Sequence, residues 1–296
     1  MKKRILITGA SGFIGKVLVP QLSTLFDVIP IKARFESADE IKMNNIDCLI
    51  HLAGLAHQTA GKDDYYKANY LLTKKLASNA LRSNVKQFIY LSSSKVFGES
   101  SLTKTYNENT LCNPKNPYAK SKLMAEEYLN TLSQDIKIAV IRPPLVYGPG
   151  AKGNLLSLMR LIEKHSLLPL GGINNQRSMV YVNNLIALMQ LLIEESAQGT
   201  YLISDNQNGS TTELVKLIAN QFDKRTRVFK MPLPLRLLLK QLKPSLMMRL
   251  YDSFVTLPSN NLTTIGFKPS FTYEEGIADM VSAYLRQKDS EANTCK

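Results

Sequence analysis

The chain has 296 residues, 44% of them hydrophobic, enough to bury a sizeable core as one large domain or as a large one with a small companion. Its longest apolar stretches, such as Leu185 to Ile193, fall well short of the about 20 residues that cross a bilayer; three unpaired cysteines (Cys48, Cys112, Cys295) and three unclustered histidines (His51, His57, His165) exclude a disulfide framework and a metal site as readings. The net charge of +13 is high, but the basic residues are scattered from Lys2 to Lys288 without aromatic interleaving or a helix-turn-helix signature, so they argue against nucleic acid and suit an anionic small molecule carrying two phosphates.

The basic start Met1-Lys2-Lys3-Arg4 looks like the head of a signal peptide, but a Thr-Gly-Ala-Ser-Gly turn interrupts it, which predicts a cytoplasmic protein. Arg4 to Thr8 reads as a short buried strand, followed by glycines 9, 12 and 15 and a helix to about Ser23. Glycines there allow a tight turn, close approach of backbone to a pyrophosphate, and close packing of helix on strand, with the helix N-terminus facing the phosphates. Phe26 to Ile31 is a second strand. At its end, where an acid would bind an adenosine ribose, stand Lys32 and Arg34, cations suited to the 2′-phosphate of NADP. Phe35 to Asn45 is too short for a full crossover helix and strand, so one unit of the alternation is expected to be trimmed.

Ile46 to His51 forms a third strand that runs into the small-residue turn Leu52-Ala53-Gly54. His51 reads as a packed, hydrogen-bonded residue, and His57 as a residue facing the cleft. A helix from about Asp63 to Arg82 carries Asn69, and the apolar strand Phe88 to Leu91 ends in hydroxyls, Ser92, Ser93 and Ser94. Asn116 can cap a helix and Pro117 suits its first turn, so Tyr118 and Lys122 stand one turn apart on one face. An ammonium near a phenol lowers a pKa of about 10 and prepares it for proton exchange with a substrate hydroxyl or carbonyl. The same spacing recurs at Tyr70/Lys74 and Tyr284/Lys288; the upstream hydroxyls single out Tyr118. After the strand Ile136 to Ile141 comes Arg142, which the alternation places with Gly9, Gly54 and Ser93 at the carboxyl ends of the strands, where ligands bind.

The later third is less regular. It predicts a helix from Asn154 to Lys164, a Leu-Pro-Leu-Gly-Gly turn, the segment Arg177 to Val182, a helix from Asn183 to Glu194 and a strand from Gly199 to Ile203 returning to the sheet. Thr211 or Thr212 is expected to cap a helix to about Phe222. Lys230 to Leu250 mixes leucine, methionine and cations, and reads as a helical lid over the substrate cleft or as a loose membrane contact.

The glycine turn, Asn69, Ser93 and Tyr118/Lys122, in that order, resemble the extended short-chain dehydrogenase/reductase superfamily over nearly the whole chain, and within it the NAD-dependent epimerase/dehydratase family. Ser93-Ser94-Lys95-Val96-Phe97-Gly98, Tyr118-Ala119-Lys120-Ser121-Lys122 and Arg142 to Gly150 look like nucleotide-sugar epimerases and 4-ketoreductases. The Ser-x-Lys-Val-x-Gly form, His51-Leu52-Ala53 and Arg177-Ser178-Met179-Val180 are most similar to bacterial reductases that turn UDP-4-keto-6-deoxy-N-acetylglucosamine into UDP-N-acetylquinovosamine for surface polysaccharides.

The resemblance implies an α/β fold with a doubly wound parallel (Rossmann) sheet over residues 1–145 and 178–204, and a smaller nucleotide-sugar domain over 146–177 and 205–296. It implies Tyr118 as general acid/base, Ser93 as the catalytic hydroxyl, and Lys122 as the group that lowers the phenol pKa and holds the nicotinamide ribose. Gly9, Ser11, Gly12, Phe13, Ile14, Gly15, Lys32, Arg34, Leu52, Ala53, Gly54, Asn69, Tyr118, Lys122 and Pro143 would line a cofactor, NADP(H) in preference to NAD(H). Ser94, Lys95, Asn154, Arg177 and Arg249 would meet the UDP-sugar, Arg249 substituting for a second phosphate-binding arginine where the chain has Val255. A UDP-sugar 4-epimerase using bound NAD is the alternative activity, a non-catalytic NADP-binding protein a third reading, and a homodimer through Asp63 to Arg82 and Tyr118 to Thr131 the expected assembly.

Overall fold

The computed structural model describes residues 2–56, 61–98, 105–205, 207–222 and 225–294, so His57 lies outside the described residues. Strand β1 (Arg4–Thr8) leads through the glycine turn into α1 (Phe13–Leu25), and β2 (Asp27–Ile31) follows at once. Between β2 and β3 (Cys48–His51) the chain forms a single 3-10 turn, Ala38–Glu40, in place of a crossover helix and strand. Next comes one helical rod in three pieces: α2 (Lys62–Tyr65), a π-helical turn (Tyr66–Leu71) and α3 (Leu72–Arg82). Strands β4 (Gln87–Leu91) and β5 (Thr105–Tyr106), helix α4 (Pro117–Thr131) and strand β6 (Lys137–Ile141) complete the first part.

Strand β7 (Leu145–Tyr147), helix α5 (Asn154–Lys164) and strands β8 (Leu167–Gly171) and β9 (Arg177–Tyr181) precede α6 (Val182–Glu194) and β10 (Gly199–Tyr201). The chain closes with β11 (Asn208–Gly209), α7 (Thr211–Gln221), β12 (Arg227–Lys230), α8 (Leu233–Leu242), α9 (Pro244–Tyr251), β13 (Val255–Thr256), α10 (Asn260–Thr264) and α11 (Tyr273–Thr294).

Six strands pair in parallel in the order β2-β1-β3-β4-β6-β10. Successive side chains of a strand point to opposite faces, and both faces are covered. Ile5, Ile7, Cys48, Ile50, Ile89 and Ile141 pack with Leu18 and Leu22 of α1 and Leu185 and Leu188 of α6. Leu6, Leu49, Phe88, Tyr90 and Val140 pack on the other side with Leu72 and Leu76 of α3 and Leu129 of α4. The strand order reverses between β1 and β3, which opens a crevice beyond their carboxyl ends. The sheet ends on β2, which carries Pro30, and on the short β10, where the Asn261 amide of α10 bonds the Thr200 carbonyl (2.9 Å).

The smaller part differs from the sequence reading in four places. The Leu-Pro-Leu-Gly-Gly segment is mostly strand β8, because β12 pairs beside it in parallel and supplies partners that no local signal reveals. Strand β9 pairs with β7 and β11, so the boundary at residue 178 cuts through a strand of the smaller sheet; α6 and β10 return to the large one. The apolar core nevertheless runs unbroken from Ile5 to Tyr273 and Val281. Helix α7 is capped by Ser210, whose Oγ accepts from Glu213 N (3.1 Å) while Glu213 accepts from Ser210 N (2.7 Å); the Thr211 and Thr212 hydroxyls instead donate to the Leu250 and Leu170 carbonyls. Lys230 to Leu250 is two helices and not one lid: α9 buries Met247, whereas α8 buries no residue.

Candidate active site

The crevice is built from backbone that side chains would block. Gly9 has φ of +74°, and a Cβ there would lie 2.7 Å from Ala53 N, so the β1 turn and the β3 turn close on each other without side chains between them. A Cβ at Gly15 would lie 2.4 Å from the Gly9 carbonyl oxygen, so α1 seats directly on the turn. Ser11 and Gly12 remain exposed at the α1 N-terminus, with Phe13, Ile14, Leu52 and Ala53 half-buried around them. This cradle fits a pyrophosphate, and Gly9, Ser11, Gly12, Phe13, Ile14 and Gly15 would hold it. Lys32 and Arg34 stand exposed just past β2, the strand next to β1. The carboxylate that follows them, Glu36, is paired with Lys67.

A directed chain of hydrogen bonds ties the crevice to the helical rod. The Ala53 N–H donates to Thr8 Oγ1 (3.3 Å), and Thr8 meets His51 Nδ1 (2.7 Å); His51 Nε2 meets Thr73 Oγ1 (2.9 Å), which donates to the Asn69 carbonyl (2.6 Å). Because Thr73 spends its proton on Asn69, it must accept from His51 Nε2–H, and Thr8 must then donate to Nδ1. Burial, with the Lys122 charge nearby, holds His51 neutral by lowering its pKa to about 3. His51 is thus the packed residue its sequence context implied.

Asn69 lies in the π-helical turn, buried. Its Oδ1 accepts from Leu55 N (2.8 Å), and its Nδ2 donates to the Leu55 carbonyl (3.0 Å) and to Ser121 Oγ (3.0 Å), which donates to the Tyr118 carbonyl (2.8 Å). A Cβ at Gly54 would collide with Asn69 Oδ1 at 2.6 Å. Asn69 therefore fixes the Gly54 turn against the first turn of α4.

Helix α4 starts as its sequence dictates: Asn116 Oδ1 accepts from Ala119 N (2.9 Å) and Pro117 occupies the first turn. This sets Tyr118 opposite Ser93, whose hydroxyl bonds the phenol, and leaves the Tyr65 ring edge-on to it (6.0 Å). Burial raises the phenol pKa, the Ser93 bond opposes the rise, and Tyr65 adds to it. Lys122 does not offset the rise as its spacing suggested. Its Nζ donates to the Leu91 carbonyl (2.9 Å) above the Tyr90 ring (4.7 Å), and burial lowers its own pKa to about 8. Lys122 Nζ also lies 3.4 Å from where a Gly54 Cβ would be, so it borders the crevice.

The anion-binding candidates converge on the far side of Tyr118. Lys95 Nζ lies 5.9 Å over the Tyr118 ring, and partial burial with the neighbouring Arg249 and Arg177 charges lowers its pKa. Arg249 Nη1 donates to Asn154 Oδ1 (3.1 Å), and Arg177 Nε to the Asp252 carbonyl (3.1 Å). Three cations held at mutual cost make a seat for a group with two negative charges. Val255 is buried in β13 against β5, while Arg249 reaches the cluster from α9.

Two expectations fall away. Ser94, read as a substrate contact, is buried at 2% exposure, its N–H taken by the carbonyl of the buried Pro143 (2.9 Å). Arg142 does not face the cleft: it pairs with the buried Glu126 (Nη2 to Oε2, 2.6 Å), which also holds Ser92. The competing pairs are structural too, since Lys74 lies over the Tyr128 ring, and Tyr284 and Lys288 both bind Glu163. Sequence reasoning missed Ser121, Tyr65 and Tyr90; Ser121, lying inside the Tyr118 to Lys122 turn, was the one with a local signal.

The sequence model of the NAD dependent epimerase/dehydratase family matches residues 5–204. A Vibrio cholerae protein named UDP-glucose 4-epimerase is 35% identical, over 97% of this chain and 97% of its own. GDP-6-deoxy-D-mannose reductase of Pseudomonas aeruginosa is 26% identical, over 95% of this chain and 97% of its own. The solved structure of RMD from Pseudomonas aeruginosa complexed with NADPH shares the fold, with a TM-score of 0.79 over 97% of this chain and 99% of that one, at 21% identity.

Proposed function

The chain belongs to the NAD dependent epimerase/dehydratase family, a nicotinamide-dependent enzyme type acting on nucleotide sugars, and from that premise we propose that it reduces the C4 keto group of a UDP-4-keto-6-deoxy-N-acetylhexosamine with NADPH. The observation that carries the choice of reaction is the exposed pair Lys32 and Arg34 past β2, with Glu36 engaged by Lys67. Cations there favour a 2′-phosphate, and a phosphorylated cofactor suits net reduction.

When bound, the nicotinamide supplies the hydride that reaches C4. Tyr118, kept protonated by burial, gives its proton to the oxygen as that carbon is reduced, so the carbonyl gains one hydride and one proton. Ser93 orients the oxygen through the hydroxyl that now meets the phenol. Lys122 is charged at neutral pH and steadies the ribose from beside Gly54. Lys95, Arg177 and Arg249 receive the UDP phosphates, and Asn154 the rest of the UDP moiety. A homodimer through the helical rod from Asp63 to Arg82 and through α4 belongs to the same proposal.

The test is the near-ultraviolet absorbance of NADPH, and separately of NADH, mixed with protein and UDP-4-keto-6-deoxy-N-acetylglucosamine. Stoichiometric loss with NADPH and little with NADH is expected. Absence of loss with either overturns the reading in favour of a UDP-sugar 4-epimerase. That second reading is favoured by the full-length likeness to the Vibrio cholerae protein and predicts interconversion of UDP-sugars without net cofactor change.

A further inference from the structure

We infer that the leucine face of α8, with the cations around it, docks this enzyme on an anionic bilayer surface. Leu235, Leu238 and Leu242 are spaced by three and four residues, so they form one stripe, and they are 41%, 51% and 66% exposed. Leu233 and Leu237, on the other side of α8, are also exposed, as are Leu246 and Met248 of α9. A lone exposed leucine is ordinary. A ten-residue helix that buries nothing and exposes most of its leucines needs a partner.

The charge around the stripe identifies that partner. Between Arg225 and Tyr251 the sequence has seven Lys or Arg residues and no Asp or Glu, with Arg236, Lys240 and Lys243 on or beside α8. A second copy of the chain would bring these cations face to face at a cost. A bilayer rich in anionic lipids accepts both parts, leucines at the acyl boundary and cations at the headgroups. At ten residues α8 is too short to cross and lies in the interface; among the described residues no helix is long and apolar enough to span. Helix α9 connects this surface to the cation cluster through Arg249 and Asn154, so a docked enzyme holds its diphosphate-binding side next to the headgroup layer. The inference stands whichever reaction the site performs.

The experiment is flotation of the full chain with phosphatidylglycerol-rich vesicles and with phosphatidylcholine vesicles, at low and high salt. Binding to the anionic vesicles is expected, weakening as salt rises and falling about tenfold or more in the Leu238→Glu/Leu242→Glu variant. That variant should keep the wild-type melting temperature, because neither residue is buried. The inference is overturned by absence of flotation, by equal binding to the two vesicle types, or by equal binding of wild type and variant. It is also overturned if light scattering shows the variant dissociating an oligomer, since a second copy would then cover the face.

Discussion

The phenol of Tyr118 sits between opposing influences: burial holds its proton on, and the Ser93 bond eases it off. A group balanced this way is suited to giving a proton to a developing alkoxide, and losing the hydroxyl should remove that step alone. Tyr118→Phe is expected to lower turnover by roughly 10²–10⁴-fold. UDP affinity, measured by calorimetry, should be unchanged because the cations proposed to receive the phosphates, Lys95, Arg177 and Arg249, lie on other elements. Turnover close to wild type would take Tyr118 out of the role. The spacing that suggested this residue occurs three times in the chain, and what distinguishes the sites is tertiary: Tyr284 and Lys288 are drawn to Glu163, Lys74 to Tyr128, and only the Tyr118 turn faces a strand ending in hydroxyls.

At the scale of elements, the His51 relay joins the ends of β1 and β3 to the helical rod, and its proton inventory makes it sensitive to acid. The folded histidine has a pKa of about 3 against an ordinary 6.5, so between those values the unfolded chain takes up a proton that the folded one refuses. Stability from this source is whole above about pH 6.5 and drains as pH falls toward 3, by on the order of 3–5 kcal/mol in total. Urea midpoints measured from pH 7 to pH 4 should fall steeply in the wild type and less steeply in His51→Gln, which starts from a lower value; parallel slopes would show that the relay does not exclude the proton. Elements defined by neighbours in sequence were legible: the glycine turn, the Asn116 cap and the trimmed unit after β2 all follow from local backbone chemistry. Where a partner comes from far along the chain the reading failed, as with β8, which needs β12, and Arg142, which needs Glu126. The π-helical turn that aims Asn69 has no sequence signature of its own.

Across the whole molecule, one buried carboxylate just past β10 ties strands of the smaller sheet to α6, beside the apolar core that both parts share. Asp205 accepts from Tyr147 Oη (2.7 Å), Tyr181 N (2.9 Å) and Asn184 Nδ2 (2.8 Å), and Asn184 in turn donates to the Phe271 carbonyl (2.9 Å) ahead of α11. Removing the acceptor strands several buried donors at once, so Asp205→Ala should cost about 3–5 kcal/mol. A urea midpoint displaced at unchanged slope is the expected result; a shift worth under about 1 kcal/mol would mean that water replaces the carboxylate. The two ends of the main sheet bear on how copies of the protein meet. Pro30 interrupts the donor row of β2, and α10 already occupies a carbonyl of the three-residue β10. Both rims of the main sheet are thus blunted as templates for an arriving strand, so growth of fibres by extending that sheet is opposed while the protein stays folded.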